Sequence, residues 1–166
     1  MAPFSPIIII GSAFGIDTCA HRATMSNGLS TIAVIAHAFE THHPSTKHDL
    51  AHQILYSGGL LTEFMSHTNI LKQNFVRRNR IIAGLLQATI DVESQSVGGV
   101  MLNARMTNYY NKEVFAVPVN LSGKYAKRFS ELLKQNQANL LQSADDILKN
   151  LSWNTQDRAI KKSYLS

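Results

Sequence analysis

Arg77, Arg78 and Arg80 fall within four positions, with Asn74, Phe75 and Asn79 around them. A guanidinium is permanently charged, and its planar fork matches a phosphate bidentately. Like charges this close on one helix repel, so the cluster is costly unless an anion or an acid answers it. A solvated helix face is the plain alternative. The functional reading is favoured for the arginines, whereas Phe75, although an aromatic ring can stack on a base, belongs more simply to the core. A second candidate is Gly11-Ser12-Ala13-Phe14-Gly15-Ile16-Asp17-Thr18, between an apolar run and a helical pattern. Backbone N–H groups at such a helix start point toward a bound anion. The run is neither GxGxxG nor followed by a P-loop lysine, so a tight turn is the commoner explanation of its glycines taken alone. A third is Glu93-Ser94 through Gly98-Gly99, again where a strand leads into a helix.

Other chemistry finds little support. His37, His42, His43, His48, His52 and His67 invite a metal reading, and His48 and His52 are four apart on one helix face. No matching cysteine or carboxylate set accompanies them and there is no HExxH, so neither a metal nor a cofactor is expected. No GxSxG nucleophile elbow is present. Cys19, the single cysteine, reads as a small core residue of an alanine-rich helix face. One cysteine also excludes an internal disulfide, which fits a reducing, cytoplasmic setting. Residues 7–10 are too short an apolar run to span a bilayer, and the N-terminus lacks a basic start, so no membrane association is expected.

The elements that must position the candidates alternate. Apolar runs over 6–10, 31–36, 60–63, 88–92 and 113–117, with a short one at 139–141, predict strands. Segments 17–27, 47–56, 74–86, 98–110, 130–135 and 144–148 predict helices, Ser143 capping the last. In the helix over 74–86, Phe75, Ile81, Ile82 and Leu85 are expected to face inward and the arginines outward. The strands are continuous apolar runs, which implies that both sheet faces are covered. The expected fold class is α/β, a doubly wound, mainly parallel sheet with helices on both faces. Ligands of such sheets bind beyond the carboxyl ends of the strands. Residues 6–150 read as one domain and 151–166 as a polar tail. The formal charge of +5 in 166 residues modestly favours an anionic partner.

Several of these segments, in this order, resemble the DprA/Smf family of DNA-processing proteins. They are Gly15-Ile16-Asp17-Thr18-Cys19-Ala20-His21-Arg22, Thr31-Ile32-Ala33-Val34, Gly59-Leu60-Leu61-Thr62-Glu63, the stretch from Asn74 to Leu85, and Glu113-Val114-Phe115-Ala116-Val117-Pro118. The resemblance covers residues 8–148. It implies a Rossmann-like domain that dimerises, binds single-stranded DNA in a basic pocket without catalysis, and loads the recombinase RecA during natural transformation. Carried over, the pocket is built by Arg78 and Arg80 with Asn74 and Asn79 nearby, and Gly15 and Asp17 shape the first turn. Gly98, Gly99, Phe14 and Arg77 complete the expected DNA-binding set, with Phe14 as the stacking ring and Arg77 pointing elsewhere.

The chain also departs from the family pattern. The strand and helix that precede this start in the family have no counterpart in residues 1–5. Gly99-Val100-Met101-Leu102-Asn103-Ala104 replaces a Gly-Ser-Leu-Ile/Val-Thr-Ala run, Pro118-Val119 a Pro-Gly, and Arg128-Phe129-Ser130 a Gly-x-Asn turn. Each change removes a glycine or hydroxyl from a turn able to face phosphate. Two rival functions follow. A nucleotide-cleaving Rossmann enzyme of the lysine-decarboxylase-like group would need Pro-Gly-Gly-x-Gly-Thr-x-x-Glu, and Gly98-Gly99-Val100-Met101 lacks its third glycine, threonine and glutamate. A remnant that keeps the fold and has lost DNA is the other.

Overall fold

The computed structural model describes residues 4–13, 15–40, 48–92, 99–117 and 137–153. It divides into two compact units, residues 2–85 and residues 86–166.

In the first unit, β1 (Ile8–Ile10), α1 (Ile16–Ser26), β2 (Thr31–Val34), α2 (His48–Ser57), β3 (Gly58–Leu61) and α3 (Lys72–Leu85) follow one another. β2 lies between β1 and β3, and both pairings are parallel, with Thr31 opposite Ile8 on one side and Gly58 on the other. Parallel neighbours need a crossover, and α1 and α2 supply it. Buried Ala33, Leu50 and Ile54 form the core, with Met25 and Leu60 packed against them. Leu50 and Ile54 are four apart and share one face of α2, whereas Leu55 is exposed.

The second unit repeats the scheme with β4 (Ala88–Asp91), α4 (Gly99–Tyr109), β5 (Glu113–Ala116), β6 (Asn139–Leu140) and α5 (Ala144–Asn150). β5 pairs in parallel with β4 and with β6. Ala104 of α4 packs on Val114, Ala116 and Ala138. At the start of α5 the Asp146 carboxylate accepts the Ser143 N–H at 2.8 Å and the Gln142 N–H at 2.9 Å. Both contacts favour the charged form and hold Asp146 below the usual carboxylate range. This is the capping expected of Ser143, completed by the residue three positions on.

The expected α/β class is found, with parallel strands and crossover helices; the described residues hold six strands in two three-stranded sheets. Details differ. The strand expected at 60–63 runs from Gly58 to Leu61, because pairing with Thr31–Val34 sets its register, so Gly58 and Gly59 open the strand as well as ending the helix. Cys19 is exposed. The residues that α1 buries are His21 and Thr24, polar groups that satisfy themselves internally. The helix expected over 130–135, the tail from 154, and residues Phe14, His42, His43, Glu93, Ser94 and Gly98 lie outside the described residues.

Candidate nucleic-acid interface

The candidate site forms where β1, β2 and β3 end. Immediately after β1 the chain turns through Gly11 into α1. Gly15, the residue before the helix, has φ +86°, a left-handed conformation that glycine adopts at no steric cost. Asp17, in the first helical turn, accepts the Ala13 N–H at 3.0 Å, and the Thr18 hydroxyl donates to the Ala13 carbonyl at 3.3 Å. One turn later His21, fully buried, reaches back to the same loop. Its Nε2 lies 2.9 Å from the Gly11 carbonyl oxygen and its Nδ1 2.7 Å from Thr31 Oγ1. A carbonyl can only accept, so Nε2 carries a proton. The loop is thus held from the helix by a carboxylate, a hydroxyl and an imidazole.

Helix α3 covers these strand ends with two different faces. Asn74 and Arg78, four residues apart, are both buried. The Asn74 amide donates to the Asn69 carbonyl at 2.9 Å and pins the segment leading into the helix. Arg78 donates from Nη1 to the carbonyl of Val34, the last residue of β2, and from Nε to Asn79 Oδ1 at 3.0 Å. A Cβ on Gly11 would lie 2.8 Å from each Arg78 terminal nitrogen and 2.9 Å from Asp17 Oδ2. Glycine at 11 is therefore a space requirement of the guanidinium and the carboxylate. Burial pushes the Arg78 pKa down from its ordinary value, and the charge of Asp17 acts against that fall.

Arg77 and Arg80, three residues apart, share the other face. Both reach Oε2 of Glu63, Arg80 in close contact and Arg77 at 3.8 Å, with side chains 51% and 61% exposed. Glu63 is set by its neighbours. The Thr62 hydroxyl donates to the His37 carbonyl at 2.8 Å and accepts the Phe64 N–H at 3.1 Å. Phe64 is buried, and the Arg77 guanidinium carbon lies 5.6 Å from its ring centroid, a favourable cation–π contact.

The sequence paired Arg78 with Arg80 and set Arg77 aside. Helical geometry reverses this, since residues two apart point in nearly opposite directions and residues three apart share a face. Arg78 is an internal cation, and the exposed pair is Arg77 with Arg80. Asn74 and Asn79 serve α3 and Arg78. Phe75 and Leu85, expected in the core, are 40% and 50% exposed, because the inward face of α3 is taken by Asn74, Arg78 and Ala83. Gly99 opens α4 in the second unit. Glu63 and His21 were missed as site residues. Both stand inside the quoted motifs, and the signal for Glu63 was an acid two residues beyond a strand. Among the described residues no three histidine, cysteine, aspartate or glutamate side chains gather to hold a metal ion, and no helix is long and apolar enough to cross a membrane.

Comparison with known proteins places this geometry. The profile of the family described as DNA recombination-mediator protein A matches residues 1–152. Protein Smf of Escherichia coli is 38% identical over 148 residues, which is 88% of this chain and 39% of Smf. DNA processing protein DprA of Bacillus subtilis is 35% identical over 87% of this chain and 48% of its own length. The chain thus spans half or less of these relatives. The X-ray structure of DNA processing protein A from Streptococcus pneumoniae superposes with a TM-score of 0.78 at 31% identity, covering 89% of this chain and 52% of that one. DNA processing protein A from Helicobacter pylori, a structure described for its single-stranded DNA binding mode, gives 0.68 at 21% identity, covering 90% and 82%. The fold is Rossmann-like as expected, and the chain belongs to the DNA recombination-mediator protein A family, the DprA/Smf DNA-processing proteins.

Proposed function

We propose that this chain binds single-stranded DNA at the strand ends of residues 2–85, and that it takes part in DNA processing during natural transformation by delivering the strand to the recombinase RecA. It acts in the cytoplasm, as a homodimer, and by binding, with no bond-making step of its own. The observation that carries this reading is the exposed Arg77–Arg80 pair, placed beyond the carboxyl ends of parallel strands, where α/β sheets receive ligands. Membership of a DNA-processing family supports it, as does the single-stranded DNA binding named for the Helicobacter pylori relative. The binding reading is also favoured by the carboxylates of this site. Asp17 is engaged with a backbone N–H and Arg78, and Glu63 with two arginines.

Titration of the chain with labelled oligo-dT at low and moderate salt tests the reading. Binding is expected to weaken steeply as salt rises, because each phosphate neutralised releases counterions. Arg80→Ala should flatten the log–log salt slope by about one unit and leave the melting temperature nearly unchanged, since Arg80 is a solvent-facing phosphate contact. No affinity in the parent chain would leave a protein that has kept the fold and lost the ligand. Release of free base from nucleoside monophosphates would instead establish the nucleotide-cleaving enzyme.

A further inference from the structure

We propose that Glu63 is a built-in competitor for the anion that Arg77 and Arg80 bind, its carboxylate standing where a phosphate of the DNA strand would lie. This deepens the DNA-binding reading and rests on it.

Four observations carry the inference. Two arginines on one helix face converge on a single oxygen, Glu63 Oε2, the arrangement by which guanidinium forks grip a phosphate oxygen. The other oxygen, Oε1, is buried and has no hydrogen-bond partner. A buried acceptor left unpaired is costly, so the carboxylate is not a fully satisfied structural tie. The Thr62 hydroxyl fixes the turn that carries Glu63, binding the His37 carbonyl and the Phe64 N–H, so the acid is presented to the helix by a rigid strand end. Both arginines remain more than half exposed, and a strand of DNA can meet them without opening the fold.

The consequence is electrostatic. Two guanidiniums less one carboxylate leave the trio with one net positive charge; without the carboxylate it has two. Glu63 therefore lowers the affinity of the pair for any polyanion and makes binding depend on displacing or outbidding it.

The test is oligo-dT titration of the parent, Glu63→Gln and Glu63→Ala at several salt concentrations, with melting curves to verify folding. Glu63→Gln keeps the shape and removes the charge, and Glu63→Ala guards against a folding defect peculiar to the amide. Both variants should bind about tenfold more tightly, with a salt slope steeper by about one unit. The gain should vanish when Arg77→Ala and Arg80→Ala are added. A parent that binds, with variants that bind equally or more weakly, overturns the competitor role and leaves the DNA-binding reading standing, with Glu63 as a residue that orients the arginines. A gain that survives loss of both arginines overturns it as well, by making it a general charge effect. Absence of binding in the parent and in both variants overturns the competitor and the DNA-binding reading together. Binding by the variants alone supports both.

Discussion

The two units share a topology and differ in how they treat charge. In residues 2–85 the strand ends gather Asp17, Glu63, Arg77, Arg78 and Arg80, and every one of these charges is answered by an opposite charge or by backbone. In residues 86–166 the described polar contacts join carboxylates to an amide or to backbone N–H groups, or uncharged groups to one another. Thr89 and Thr107 share a hydroxyl–hydroxyl bond of 2.8 Å, and Asn108 donates to the Gln137 carbonyl at 3.1 Å. The carboxylate at the end of β4, Asp91, is half-buried with no opposite charge beside it among the described residues, and burial pushes its pKa up to about 6. The same strand-helix scheme therefore yields a charged, cross-braced strand end in one unit. In the other it leaves a carboxylate that leans toward its neutral form. Charge at a strand end persists in the interior only where a partner is built beside it.

The sharpest way to disturb this contrast is Arg78→Ala. The guanidinium joins α3 to the end of β2 beside the Gly11 turn and Asp17. Its loss takes this donor from the Val34 carbonyl and the cation from beside Asp17, which keeps the Ala13 N–H. Removing one member of a buried charged network costs about 3 kcal/mol, which for a chain of this size lowers the melting temperature by roughly 6–12 °C. Amide exchange should quicken in β1 and β2. A melting temperature within a degree of the parent would show that Arg78 is dispensable to the fold.

Gly11→Ala approaches the same centre from the other side. Its new methyl would meet both Arg78 terminal nitrogens at 2.8 Å and Asp17 Oδ2 at 2.9 Å. Overpacking of this kind costs about 2 kcal/mol. The informative measurement is the double variant. With Arg78 already alanine only the Asp17 Oδ2 contact remains, so Gly11→Ala should then cost less than half as much, a coupling expected of groups in contact. Strict additivity would mean that the methyl group is not excluded by the guanidinium.

The fold was readable because apolar runs of strand length alternate with helical spacing, and element types depend on that period. Boundaries slipped where pairing outranked local signals, as at Gly58. The site was readable only in part. Spacing along α3 already separates 77 and 80 from 78 and also puts 74 and 78 on one face. Which face turns inward depended on tertiary partners that no local pattern shows. Phe75 is the more apolar candidate, yet Asn74 and Arg78 are buried because the Asn69 and Val34 carbonyls lie within reach. Glu63 and the arginines are 14 and 17 positions apart, and nothing short of the folded strand end brings them together. Clustered arginines call for an anion, and Glu63 shows that the chain itself supplies one.

The smallest expected effect belongs to the second unit and carries a pH signature. Burial raises the Asp91 pKa from 3.8 in the unfolded chain to about 6 in the native protein. The native state therefore holds this proton more tightly than the unfolded state does. The associated stability is fully present below the unfolded value and is lost as pH rises through about 6. At neutral pH the ionised carboxylate is a net cost. A shift of about two units corresponds to roughly 3 kcal/mol, and solvent contact of the half-buried group reduces this to about 1 kcal/mol. Asp91→Asn keeps the shape and cannot ionise. It should match the parent near pH 4 and exceed it by about 1 kcal/mol above pH 7, a gain of roughly 2–4 °C in melting temperature. Melting curves of Asp91→Asn and parent at about pH 4, 5.5 and 7.5 decide the matter. A difference that is flat with pH, or that favours the parent at high pH, would mean that Asp91 is answered in the folded protein as fully as the charges of the first unit are.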